Sequence, residues 1–265
     1  PYAVACTQAF PCGMVADIKK SLGLDFKLFA VLTDFIPHAY WICEGVDKYI
    51  VASKPAKEYF ERFNIETDII ENLGIPIDPS FRESSDSGMF LKQIGLRDNV
   101  PIILVMGGGQ GLGPIDKIVN ILDGVDLEFQ MVIVAGTNER LFKTMKKMAL
   151  SLNKRALVLG YVHNINKLMD IATILVTKAG GLTIAESLSK GLPIVIVNPL
   201  PGQESKNTDF LIGTNAAVKV GDIEDMAHMI KMLLTHPIKL RQMREASLRI
   251  GRRDSAVNIA RLIIG

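Results

Sequence analysis

From Val100 onward the sequence repeats one phrase: a short β-branched apolar run, a turn, then a longer segment with apolar residues three or four apart. Runs that are apolar on both faces belong to strands covered on both sides, so the phrase spells a parallel sheet layered between helices. The predicted strands are 101–106, 130–135, 156–159, 174–177, 193–197 and 216–220. The predicted helices are 114–122, 138–152, 164–171, 182–190 and 204–212, with Pro114 suited to a first helical turn and Gly191 to a helix end. A doubly wound, Rossmann-like domain is expected over 100–250.

The same grammar runs more weakly through 1–82, with strands expected at 2–6, 26–33, 48–52 and 67–73, which predicts a second α/β domain. Between them, 83–99 turns small and polar around Glu83-Ser84-Ser85-Asp86-Ser87-Gly88 and reads as a linker. After Gly221, 223–235, 237–250 and 254–264 read as successive helices, with 251–265 closing the fold. The chain opens at Pro1 directly before a strand, so upstream residues are expected and the first domain is expected to be incomplete.

Composition excludes several classes of function. A chain of 265 residues that is 48% hydrophobic can bury a large core, and a net charge of +2 does not mark a nucleic-acid binder. No apolar run reaches the roughly 18 residues a membrane span needs, and no signal-like start is present, so a cytoplasmic location is expected. Cys6, Cys12 and Cys43 match no zinc spacing and read as reduced core thiols.

Two glycine-bearing turns follow strands, at the sheet edge where open parallel sheets take ligands. In Gly107-Gly108-Gly109-Gln110-Gly111-Leu112-Gly113, glycine lets backbone N–H groups approach an anion, and the next helix start adds a favourable dipole. The dinucleotide fingerprint G-x-G-x-x-G fails in every frame, its third glycine falling on Leu112, Pro114 or Asp116. The next strand leads into Ala135-Gly136-Thr137 without the acidic ribose ligand, and no Gly-Lys-Ser/Thr follows the glycine loop. A plain tight turn remains the alternative. The second turn runs Lys178-Ala179-Gly180-Gly181-Leu182-Thr183, and free N–H groups with the Thr183 hydroxyl suit a diphosphate. Glu186 has two readings: Thr183-x-x-Glu186 is a capping box, or the carboxylate accepts hydrogen bonds from a ribose diol.

The run 178–187, then Gly191-Leu192-Pro193-Ile194-Val195, then Gly202-Gln203-Glu204 with Asn207, closely resembles the donor half of monogalactosyldiacylglycerol synthases and processive diacylglycerol glucosyltransferases. It resembles the lipid II-forming N-acetylglucosaminyltransferase more distantly. The loop 106–114, Thr33-Asp34-Phe35 with His38 and Trp41, and Gly74-Ile75-Pro76-Ile77 carry the resemblance across essentially the whole chain. It implies two Rossmann-like domains facing a cleft, the GT-B arrangement, and inverting transfer of a hexose from UDP-glucose or UDP-galactose to the 3-hydroxyl of diacylglycerol. No cofactor or metal is implied, and no Asp-x-Asp occurs in the sequence.

By matching positions, the resemblance places Gly108, Gly109, Gln110 and Lys178 at the donor and Gly180, Gly181 and Thr183 at the diphosphate. Glu186 falls to the ribose, the Tyr161-Val162 backbone to the uracil edge, and Gln203, Glu204 and Asn207 to the sugar hydroxyls. The family's Gly-Gly-His base is absent from this sequence and is expected in the upstream segment, with Asp34 and His38 as the remaining catalytic candidates in the acceptor half. A lipid acceptor implies an anionic membrane surface as partner and a peripheral place on the inner face of the cell membrane. The segment 11–22 and the loop holding Phe35, Ile36, Tyr40 and Trp41 are the expected lipid-facing parts. The basic amphipathic segment 138–153 reads as a sheet-covering helix, with membrane contact as its alternative. Two other outcomes are UDP-N-acetylglucosamine-dependent transfer to a polyprenyl-linked acceptor and nucleotide-sugar binding without turnover.

Overall fold

The computed structural model describes residues 1–84 and 86–265. The chain divides into two compact units, one of Pro1–Arg82 with Arg252–Gly265 and the other of Glu83–Gly251.

The first unit contains β1 (Ala3–Cys6), α1 (Ala9–Ser21), β2 (Lys27–Val31), β3 (Lys48–Val51), α2 (Lys54–Arg62) and β4 (Ile70–Asn72). Its four strands are parallel and stand in chain order, β1-β2-β3-β4. Side chains alternate across the pleat: Leu28, Ala30, Tyr49 and Val51 join one core with Cys12, Trp41 and Phe60, while Phe29, Val31 and Ile50 join another on the opposite face. The three cysteines are free thiols, and burial pushes the Cys12 thiol up to about 12.

The second unit contains α3 (Ser87–Gln93), β5 (Ile102–Met106), α4 (Ile115–Asp123), β6 (Gln130–Val134), α5 (Glu139–Met148), β7 (Ala156–Leu159), α6 (Ile165–Ile171) and β8 (Ile174–Thr177). It continues with α7 (Gly181–Ser189), β9 (Ile194–Ile196), α8 (Gln203–Gly213), β10 (Ala217–Lys219), α9 (Met226–Thr235) and α10 (Pro237–Ile250). All six strands are parallel, in the order β10-β9-β8-β5-β6-β7. Counted from β5, this is the 3-2-1-4-5-6 order of a Rossmann sheet read from its other edge. Every residue of β5 and β6 is buried, each large aliphatic side chain contributing roughly 1.5–3 kcal/mol, which is why these runs lack polar alternation. Among the described residues no helix is long and apolar enough to cross a membrane.

Two boundaries differ from the sequence reading. The polar segment 83–99 is folded into the second unit: Asp86 caps α3 by accepting from Met89 N at 3.1 Å, and Phe90, Leu91 and Leu96 are buried. Its small polar residues mark a helix start. The last helix, α11 (Ser255–Ile264), belongs to the first unit, where Ile259 packs with Phe29, Val31 and Ile50 and Ser255 Oγ accepts from Ile77 N at 3.3 Å. It covers a sheet face that would otherwise expose three large apolar side chains. In α5, Met145 is buried and Leu141, Phe142 and Met148 pack on the core, while Arg140, Lys143, Lys146 and Lys147 are exposed, as a sheet-covering helix requires.

Candidate functional site

The strand order reverses between β5 and β8, which pair from Ile103↔Ile174 to Met106↔Thr177. Loops leaving neighbouring strands toward opposite faces open a crevice at such a point. The two glycine turns of the sequence leave from these two strands.

Within the first turn the glycines divide by cause. A Cβ on Gly107 would lie 1.9 Å from the Leu112 carbonyl oxygen, so only glycine fits there. The loop is closed by Gly111 N and Leu112 N donating to the carbonyls of Gly108 and Gly107, both at 3.0 Å. It is tied to the turn after β6 by Thr137 N donating to Gly109 O at 2.8 Å. Gly109 and Gln110 are exposed, and a Cβ on Gly109 would meet nothing within 4 Å. Packing explains Gly107 and leaves Gly109 unexplained, which favours an approaching ligand over a plain turn. Sequence reasoning used 135–137 only to exclude an acidic ribose ligand; its structural role is to staple this loop.

At the second turn, α7 begins at Gly181 with Gly180 at the N-cap position, so Thr183 is the third helical residue. A capping box needs Thr183 at the cap itself, so the helix start does not have that form. The leading N–H groups of α7 and the positive end of its dipole therefore sit beside Gly180 and Gly181. Thr183 is buried and Glu186 half-buried.

Lys178 is ion-paired through Nζ with Glu204 Oε1, and Glu204 Oε2 accepts from Leu200 N at 2.9 Å. Glu204 stands in the first turn of α8, beside half-buried Gln203. Asn207, one turn further on, is fully buried and donates through Nδ2 to Ala179 O at 3.1 Å. Through that bond Asn207 supports the 178–181 turn from within. The Lys178–Glu204 pair was not foreseen, because 26 residues separate its members.

Tyr161 and Val162 follow β7 at the sheet edge. Tyr161 is 60% exposed and its ring meets His163 edge-on at 5.2 Å, while Val162 is half-buried.

In the first unit, Asp34 and His38 do come together. They line a cavity of about 730 Å³ whose wall includes Phe10, Met14, Tyr40 and Trp41. Asp34 follows β2, and Ser53 Oγ anchors the loop by donating to Phe35 O at 2.5 Å. The His38 ring lies 5.7 Å from Tyr40 and 6.2 Å from Trp41, and its Nδ1 is buried without a partner among the described residues. Met14, Ile18 and Leu22 of the expected lipid-facing segment 11–22 are exposed, as are Phe10 just before it and Tyr40. Phe35 and Trp41 are instead buried, at 3% and 2% exposure, since both serve to fix the loop that carries His38. Among the described residues no group of three or more His, Cys, Asp or Glu side chains is placed to hold a metal ion.

The profile described as glycosyl transferases group 1 matches residues 91–249, more than half of the chain. The chain belongs to this family. Its resemblance to the diacylglycerol branch also holds: the monogalactosyldiacylglycerol synthase profile matches 3–77. The chain is 31% identical over 240 residues to the processive diacylglycerol beta-glucosyltransferase of Bacillus subtilis, covering 90% of this chain and 62% of that one. It is 32% identical over 258 residues to the protein of the same name from Bacillus cereus, covering 97% of this chain and 66% of that one. The chain thus spans a little under two thirds of the length of these relatives.

Solved structures place the fold among GT-B glycosyltransferases. Acinetobacter baumannii MurG superposes with a TM-score of 0.71 at 16% identity, covering 99% of this chain and 73% of that one. Anabaena HepE in complex with UDP-glucose gives 0.64 at 14% identity, covering 99% and 78%.

Proposed function

We propose that this group 1 glycosyl transferase moves a hexose from UDP-glucose or UDP-galactose to the 3-hydroxyl of diacylglycerol, with inversion, at the cytoplasmic face of a membrane. The observation that carries the reading is the meeting of the 107–113 loop and the α7 start at the single reversal of strand order. Two sets of backbone donors and a helix dipole converge there on space that suits a diphosphate. Glu186, half-buried on the first turns of α7, is the ribose ligand, and the Tyr161-Val162 backbone reads the uracil edge.

Inversion asks for a base on the acceptor hydroxyl and positive potential on the departing UDP. The α7 start supplies potential of that sign. Asp34 and His38 are the candidates for the base, in a cavity whose Phe10 and Met14 wall suits acyl chains. The exposed stripe of Phe10, Met14 and Ile18 on α1 suits a membrane surface.

The deciding assay gives the protein UDP-glucose or UDP-galactose with diacylglycerol liposomes and EDTA. A glycosyldiacylglycerol product is expected with one donor, and absence of product with both overturns the reading.

A further inference from the structure

Lys178 is a cation placed between the two glycine turns. A methyl on Gly108 would lie 3.8 Å from its Cε, and one on Gly180 3.9 Å from its Nζ. The side chain therefore lies over the 107–113 loop and reaches the start of α7, where the proposed diphosphate sits. Its charge is spent on Glu204. Both members are largely shielded, with side-chain exposures of 20% and 13%, and the second Glu204 oxygen is occupied by Leu200 N. A carboxylate so engaged has an acceptor site on each oxygen already taken, and an ammonium so engaged is neutralised toward phosphate.

We propose that Lys178 and Glu204 form a charge latch that donor binding exchanges. Lys178 leaves Glu204 for the diphosphate of a nucleoside diphosphate sugar, and the released Glu204 carboxylate accepts hydrogen bonds from the sugar hydroxyls. The latch rests on the donor-site reading above. During transfer the bond from the anomeric carbon to the β-phosphate oxygen breaks with its electron pair going to that oxygen. The acceptor hydroxyl oxygen bonds the anomeric carbon and gives its proton to a base. Lys178 stays protonated throughout and is the counter-charge to the oxygen that receives the pair, which makes it a catalytic residue. The exchange also couples the two halves of the donor: drawing Lys178 to the diphosphate releases the Glu204 oxygen it held for the sugar.

The latch makes two opposite predictions for one ligand. Calorimetry with UDP in EDTA should show Lys178→Met weakening binding at least about tenfold, with Lys178→Arg restoring most of it. Glu204→Gln, which frees the lysine and removes a like charge from the phosphate, should tighten UDP about fivefold. The same Glu204→Gln variant should show a smaller gain for UDP-glucose than for UDP, because the released carboxylate is missing. A merely structural ion pair would have both neutral variants lose UDP affinity and melting temperature together, and that result overturns the latch. So does UDP affinity within about twofold of the parent in Lys178→Met. If the parent protein itself fails to bind UDP, the donor-site reading falls and the latch with it; if the parent binds and only the variants misbehave, the latch alone is wrong. Should Lys178→Met not fold, the sign of the Glu204→Gln effect decides.

Discussion

A methyl added at Gly107 would lie 1.9 Å from the Leu112 carbonyl oxygen, whereas one added at Gly109 meets no heavy atom within 4 Å. These neighbouring glycines are therefore separable by substitution. Gly107→Ala should cost about 1–3 kcal/mol in urea unfolding, because the loop must move to admit the methyl. Gly109→Ala should stay within about 0.5 kcal/mol of the parent while losing UDP affinity at least about tenfold by calorimetry. Retained affinity in Gly109→Ala would mean that the loop is only a turn. Glu186 allows a similar separation, since α7 begins at Gly181 and leaves Thr183 inside the helix. Glu186→Ala is expected to weaken UDP binding about tenfold with a change in melting temperature below about 2 °C. A large drop in melting temperature at unchanged affinity would return Glu186 to a structural role.

At the scale of elements, α7 is held at both ends by different physics. Its start is open and polar, while its end is anchored by Lys190, whose Nζ pairs with Asp170 Oδ1 at 2.9 Å and donates to the Glu83 carbonyl. The Lys190 side chain is only 4% exposed, so its charge is nearly desolvated. Deleting one member of such a pair strands the other, and Lys190→Met should destabilise the protein by about 3–5 kcal/mol in urea unfolding. Adding Asp170→Asn should recover a substantial part. A single variant within about 1 kcal/mol of the parent would show the pair to be solvated. The helix itself was legible in the apolar spacing of Leu182, Ala185 and Leu188 and in Gly191, which takes φ +65 just past the end as a helix stop requires. Its anchor was not legible: Lys190 reads as an ordinary last-turn lysine until the fold brings Glu83, 107 residues away, against it.

For the molecule as a whole, stability should depend on alkaline pH through the first unit. Burial raises the Cys12 thiol from 9.0 to about 12 and the Tyr49 hydroxyl from 10.0 to about 12. The folded state therefore holds protons that the unfolded chain releases. The contribution is complete below about pH 9 and is lost as pH climbs toward 12, with Tyr49 joining above about 10. Thermal midpoints should fall between about pH 9 and 11, and less steeply in Cys12→Ala; a slope unchanged by that substitution would sink the assignment to Cys12.

By itself the sequence determined the layered α/β class, nearly every strand and helix of the second unit, and the two glycine turns. Those features are written in local terms: β-branched runs, a 3.6-residue period, and glycine where a strand meets a helix. It also carried the family, because the motifs that define it are contiguous. Only the tertiary structure decided which turns share the β5/β8 reversal, that Lys178 spends its charge on Glu204, that Asn207 supports a turn from within, and that α11 returns to cover Phe29, Val31 and Ile50. Each of these depends on residues far apart in the chain meeting at one place. Local periodicity has no term for such meetings; burial and desolvation, which select them, exist only once the sheets have formed.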